Sequence, residues 1–398
     1  MIEPADLYRH PNALTPHYSR FNVGERLLLS GHSHQAWPDR GFDGQRQAWL
    51  DAAELVDEKW ERAFARAERV RRGYARLLDD ADGYIALASS THDLVVRFLS
   101  ALPLRERPRL VSSDGEFHTI RRQLDRLGEE GIEIVKVPAL PAADLAERLS
   151  VAVDDRTAAV LVSCVLFETA YNVPGLRELL GACQRVGAEL LVDAYHALNV
   201  VPFSLREQGL EDAFVVGGGY KYCQLGEGNC FLRFPQDRDD LRPAVTGWFS
   251  EFSALASRTE GGVIYPHGPD RFAGATYDPT SHYRASEVLD FFTEHELTPE
   301  LLREVSQHQI RLLADRFDAV DADPSLITRD HSVGLDGIGG FLALQTPKAA
   351  EVCRRLRELG VHTDYRGEIL RLGPAPYLSD RQLESAMDAL DDVIRARL

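Results

Sequence analysis

Lysine is scarce in this chain: among 398 residues the side-chain amines are those of Lys59, Lys136, Lys221 and Lys348. Scarcity permits elimination. Lys59 lies on an amphipathic helical stretch, Lys136 near the end of Ile-Glu-Ile-Val-Lys-Val, and Lys348 at the start of a second helical stretch, all places where a solvated ammonium is ordinary. Lys221 closes Val215-Val216-Gly217-Gly218-Gly219-Tyr220-Lys221, where an apolar run gives way to glycines that let the backbone turn sharply and approach a ligand. An amine becomes a nucleophile near neutral pH when desolvation or neighbouring positive charge lowers its pKa. Lys221 is therefore a candidate for condensation with a carbonyl; a surface lysine after a glycine turn is the alternative.

Upstream, the apolar run Glu189–Val192 leads into Asp193-Ala194-Tyr195-His196, which puts a carboxylate at the carboxyl end of a buried strand. A lysine and such a carboxylate together suit a pyridoxal cofactor, whose ring withdraws electrons best when a carboxylate keeps its pyridine nitrogen protonated. In isolation Asp193 reads equally as a turn or cap residue, and His196 alone as a structural histidine.

These residues need elements to position them. From Gln45 to Leu78 apolar residues recur at helical spacing, and their aromatic stripe reads as core. Short apolar runs then alternate with amphipathic stretches: Tyr84–Ala88 and Thr91–Leu102; Arg109–Ser112 and Phe117–Leu127; Ile132–Val137 and Ala142–Ala152; Ala158–Ser163 and Pro174–Val186; then Glu189–Val192. This β-α alternation predicts an α/β fold with a mainly parallel sheet and helices on both faces, with ligands at the carboxyl ends of the strands. After Asn229–Phe234 the chain is loop-rich through Gly274, then predicts helices near Ser286–Glu294 and Pro299–Phe317. A smaller carboxyl-terminal α/β domain follows, with strands at Gly340–Leu344 and Ile369–Leu372 and helices at Lys348–Leu359 and Asp380–Ala396. The expected division is an irregular amino-terminal arm (1–45), a large domain (46–297) and a small one (298–398).

Asp193-x-x-His196 followed by Tyr220-Lys221 resembles the cofactor signature of kynureninase and its relatives among the class V aminotransferases, and the resemblance covers most of the chain. It implies the pyridoxal 5′-phosphate fold type I with a sheet of the seven-stranded type, Lys221 holding the cofactor and acting as base, and Tyr220 near the phosphate as a proton carrier. Ser89-Ser90-Thr91 resembles the phosphate-binding turn, in keeping with the anion affinity of a helix amino terminus, although a plain N-cap reads the same way. Within Glu116-Phe117-His118-Thr119, Phe117 is implied to stack on the cofactor, or else is helix-start core. Gly247-Trp248-Phe249 and the Arg271–Thr276 segment resemble elements that complete the cofactor site, the latter from the neighbouring subunit, so a homodimer with shared sites is implied. Asp364-Tyr365-Arg366 and Leu370-Arg371-Leu372-Gly373-Pro374 make Arg371 the implied clamp for the substrate's α-carboxylate, a task a guanidinium fork suits; a surface ion pair is the alternative.

Two departures point to an altered substrate pocket. Ile120 stands where the family carries an aspartate, and Gly31-His32-Ser33-His34 replaces a Gly-Asn-Ser element in the arm, making His32, Ser33 and His34 candidate pocket residues. Two histidines at i, i+2 without a third ligand do not make a metal site, and none is expected.

The resemblance implies hydrolytic Cβ–Cγ cleavage of a kynurenine-type amino acid. Transamination, β-elimination and oxidative decarboxylating deamination of an amino-acid conjugate share the same apparatus, and a non-catalytic binding protein is the alternative from another class. A cysteine desulfurase is disfavoured, because Cys353 sits in an amphipathic helical run rather than on a mobile loop. A net charge of −17 argues against nucleic acid and anionic membranes as partners, and no stretch is long and apolar enough to span a bilayer. Five cysteines without a C-x-x-C pair suggest neither a disulfide framework nor zinc; with no export signal, a cytoplasmic location is expected.

Overall fold

Apolar runs too short for helices become the strands of a seven-stranded sheet in a computed structural model that describes residues 2–80, 82–254 and 262–396. After a short β1 (Leu27–Leu28), the sheet is built from β2 (Tyr84–Ala88), β3 (Arg109–Ser113), β4 (Glu133–Val137), β5 (Thr157–Ser163), β6 (Glu189–Asp193), β7 (Phe214–Gly218) and β8 (Cys230–Phe234). Their order is β2-β8-β7-β6-β5-β3-β4, and only β8 runs against its neighbours. β5, β7 and β8 are buried at every position, which is why they read as continuous rather than alternating apolar sequence.

A second, three-stranded antiparallel sheet has the order β11-β12-β9, from β9 (Leu342–Gln345), β11 (Asp364–Arg366) and β12 (Ile369–Leu372), while the short β10 (Val361–His362) pairs with β1. The sheet packs against the helices Pro299–Ala319 and Ala349–Glu358, and the helix Asp380–Arg395 packs on those two.

Two expectations need correcting. The arm is packed, not loose: Leu7, Leu14, Tyr18, Val23 and Leu29 are buried in the core, the β1–β10 pair and a Ser30–Gly373 bridge sew it to the carboxyl-terminal region. Each apolar residue serves a separate short turn, so no period announces the burial. The helix expected from Ser286 begins at Thr280 instead. Its first turns bury His282, Arg284 and Ser286, polar groups that hide the helical face from an apolar pattern.

Candidate active site

β6 and β7 are parallel neighbours, with Asp193 paired to Val216, so the chain leaving each strand emerges at the same sheet edge. Asp193 and Lys221 are thereby brought to one cavity of about 220 Å³, lined also by Ser90, Thr91, Phe117, His196 and Tyr220. Gly218 is required here: a Cβ at that position would come within 2.4 Å of the Tyr195 hydroxyl and 2.7 Å of Cys230 Sγ.

Lys221 is 5 % exposed. Burial lowers its pKa to about 7; the carboxylate of Asp193 opposes that fall and the charge of Arg371 adds to it. Its Nζ lies 2.6 Å from His196 Nε2 and over the rings of Tyr195 (4.7 Å) and Phe117 (5.3 Å). Burial, then the nearby Lys221 charge, hold His196 well below the ordinary histidine value, so the neutral ring accepts from the amine at Nε2 while its buried Nδ1 has no partner. Asp193 accepts from the Tyr195 backbone N–H at 2.8 Å, and burial raises its pKa. Burial likewise pushes the Tyr220 phenol up to about 12, which keeps it a proton donor at neutral pH.

These groups fit pyridoxal 5′-phosphate. A desolvated amine faces an aromatic wall, a buried carboxylate stands by for a protonated ring nitrogen, and Thr91 Oγ1, at the start of the Thr91–Ala101 helix, is buried with no oxygen or nitrogen partner among the described residues. Ser90 caps that helix by accepting from Asp93 N at 3.1 Å, which leaves the amides of Thr91 and His92 for an anion.

The other expected residues do not line the cavity, though His34 and Arg371 touch Tyr220 and Phe167, which do. Trp248 donates to Thr276 Oγ1 at 3.2 Å on an exposed face, beside a second cavity of about 340 Å³ that shares Ser89 with the first. His34 is exposed, stacks on Tyr220 with ring centroids 4.8 Å apart and has Ser33 Oγ 3.2 Å from its Nδ1. His32 and Arg371 are buried and both bond to Asp364.

Sequence reasoning missed Phe167, Ser163 and Glu116. Phe167 lines the cavity beyond the end of β5 and contacts Phe117 edge to face. Ser163 lies opposite Asp193 in the β5–β6 register, a pairing that a strand buried at every position does not announce in its sequence. Glu116 accepts from the hydroxyls of Ser113 and Ser163, each at 2.6 Å, and burial raises it to about 7 against the pull of those two bonds.

No protein-family model matches the chain. A kynureninase of Pseudomonas fluorescens is 25% identical over 96% of this chain and 93% of its own length. An uncharacterized aminotransferase of Bacillus subtilis is 23% identical over 86% of this chain and 88% of its own. Among solved structures, the cystine C–S lyase C-DES, with glycine covalently linked to its PLP cofactor, superposes with a TM-score of 0.81 at 14% identity, covering 95% of this chain and 98% of that one. A cysteine desulfurase from Thermococcus onnurineus gives 0.79 at 14% identity over 100% and 99%. The chain is a pyridoxal 5′-phosphate enzyme of fold type I, similar in sequence to kynureninases and to an aminotransferase. All five cysteines are buried, and Cys353 Sγ lies in the Ala349–Glu358 helix, 3.5 Å from the Thr363 carbonyl oxygen.

Proposed function

We propose that the enzyme uses pyridoxal 5′-phosphate to hydrolyse the Cβ–Cγ bond of a kynurenine-type amino acid, adding water and releasing an aromatic acid and alanine. The enzyme uses pyridoxal 5′-phosphate and acts on an amino acid. The observation that carries the proposal is the meeting of Lys221, Asp193 and an aromatic wall of Phe117, Phe167 and Tyr195 in one cavity. The likeness to kynureninases across nearly the whole chain supports the choice of reaction.

The cofactor supplies an electron sink for the carbanion formed at Cα. Lys221, with its pKa about 7, is largely unprotonated in slightly alkaline solution, so it can hold the cofactor's aldehyde and then move the Cα proton. Asp193 would keep a proton on the ring nitrogen, Phe117 would orient the ring, and Ser90 and Thr91 would hold the phosphate. Tyr220 stays protonated and can donate at a developing oxyanion. Arg371 holds the substrate's α-carboxylate.

A desulfurase reading is disfavoured by the buried cysteines, whose burial raises the thiols of Cys164, Cys183, Cys223 and Cys230 away from the reactive thiolate. Adding L-kynurenine or 3-hydroxykynurenine to the loaded enzyme is expected to release an anthranilate and alanine in equal amounts. Bound cofactor with no such products, but with pyruvate or a keto acid formed from another amino acid, would replace hydrolysis by elimination or transamination.

The proposal includes a homodimer. Val245, Trp248 and Phe252 expose apolar surface beside Thr276 and the second cavity, an area a second copy would cover. Sedimentation at the mass of two chains, reduced to one by Trp248→Glu with loss of cofactor affinity, is the expected result; a fully active monomer would remove this part of the reading.

A further inference from the structure

Resting on the reading of Arg371 as the carboxylate clamp, the inference here concerns what aims it. Arg371 is paired before any substrate arrives. Directly opposite it in the β11–β12 register stands Asp364, which accepts from Arg371 Nε at 2.9 Å and Nη2 at 2.6 Å, while Nη1 donates to the Phe167 carbonyl at 2.7 Å. A guanidinium has five N–H donors, so three are committed and two remain.

Asp364 is itself held. His32, whose side chain is fully buried, lies with Nε2 2.7 Å from the same Asp364 oxygen that receives Arg371 Nε. The histidine is locked in place: Gly31 N donates to Gly373 O and Gly373 N to Leu29 O, both at 2.7 Å, and the Phe341 ring lies 4.7 Å from the imidazole. Gly373 must lack a side chain, because a Cβ there would stand 2.1 Å from His32 Nδ1. Such a fit is built for an imidazole.

We propose that His32 and Asp364 are positioning residues that fix the Arg371 guanidinium and balance its charge, leaving two N–H groups to receive the carboxylate of a zwitterionic amino acid. Fixing the guanidinium spares the substrate the cost of ordering it. Balancing its charge makes the clamp a weak trap for simple anions, so tight binding needs the substrate's amine as well. Burial lowers His32 to about 4, so at neutral pH it is a neutral donor that leaves the Asp364 charge to Arg371.

The test uses the cofactor-loaded enzyme with L-alanine and with ethylamine, the same amine without a carboxylate, each followed by the change in the visible band. His32→Leu should weaken L-alanine about tenfold or more, as expected for losing a hydrogen bond to a charged group, and leave ethylamine unchanged. His32→Gln, which keeps an N–H donor, should recover most of the loss. In the wild type, 15N spectra of the His32 ring at pH 6 should show a neutral imidazole with its proton on Nε2, a readout that needs no variant to fold. Equal effects on both amines, no effect on either, or a ring protonated at pH 6 or carrying its proton on Nδ1, would overturn the proposal. Arg371→Ala separates the two claims. If it abolishes the preference for L-alanine while His32→Leu does not, only the positioning role falls; if it leaves the preference intact, the clamp reading falls and the positioning role with it.

Discussion

Lys221→Met should fold, yet fail to give the yellow form that the wild type shows with pyridoxal 5′-phosphate, and its turnover should fall by about 10³-fold or more. The lysine serves as both the covalent anchor and the base, and a positioned acid–base group alone contributes roughly 10²–10⁴-fold. Methionine fills nearly the same volume, so the loss reports on the amine rather than on packing. Without cofactor the substitution acts in the opposite direction. Lys221 keeps its proton below about 7 in the folded protein but up to 10.5 when unfolded. Between those values the unfolded chain holds more protons, so the amine's penalty on folding is complete below pH 7 and fades as the pH climbs toward 10.5. The thermal stability gained by Lys221→Met in the apoprotein should therefore be largest at or below pH 7 and shrink above it. A gain independent of pH would mean that the amine is solvated.

Asp193→Asn should lower turnover by about 10²–10⁴-fold while leaving the fold intact. Asparagine keeps the shape and can accept from the Tyr195 backbone N–H, but it has no charge to hold a proton on a ring nitrogen. Leaving a buried charge without its partner costs about 3–5 kcal/mol, which sets the scale. A second signature separates this role from a structural one. The Asp193 charge raises Lys221 against the fall imposed by burial, so its removal should bring the amine's titration in the apoprotein below pH 7. The pH profile of Lys221 modification by an amine-directed reagent would report that shift. An unmoved midpoint with normal turnover would remove Asp193 from the site.

Much of this arrangement was legible before any coordinates. The β-α alternation specified the parallel sheet, because the middle of a strand such as Thr157–Ser163, from Ala158 to Val162, is buried on both faces and is apolar throughout. Lys221 and Asp193 stood out because each ends such a run, and strand ends are where open α/β sheets bind ligands. What stayed hidden depends on contacts distant in sequence. His32 and Asp364 are 332 residues apart, and no local spacing joins them. Glu116 was visible as a residue of a motif, but its burial between Ser113 and Ser163 depends on how β3 and β5 pair. The arm looked irregular since its buried residues follow no period, and the first turns of the Thr280–Glu294 helix bury His282, Arg284 and Ser286 beside its apolar residues. Trp248 and Thr276, which bond to each other outside the Lys221 cavity, belong to a site only if a second chain brings them there.

The scarcity of lysine makes the central claim directly measurable. Borohydride reduction of the cofactor-loaded protein fixes the cofactor to whichever amine holds it, and peptide mass mapping then distinguishes Lys59, Lys136, Lys221 and Lys348. The account predicts one cofactor per chain, on the peptide containing Lys221 alone, and none in Lys221→Met. A label on any other lysine, or a wild-type protein that takes up no label under saturating cofactor, would contradict it.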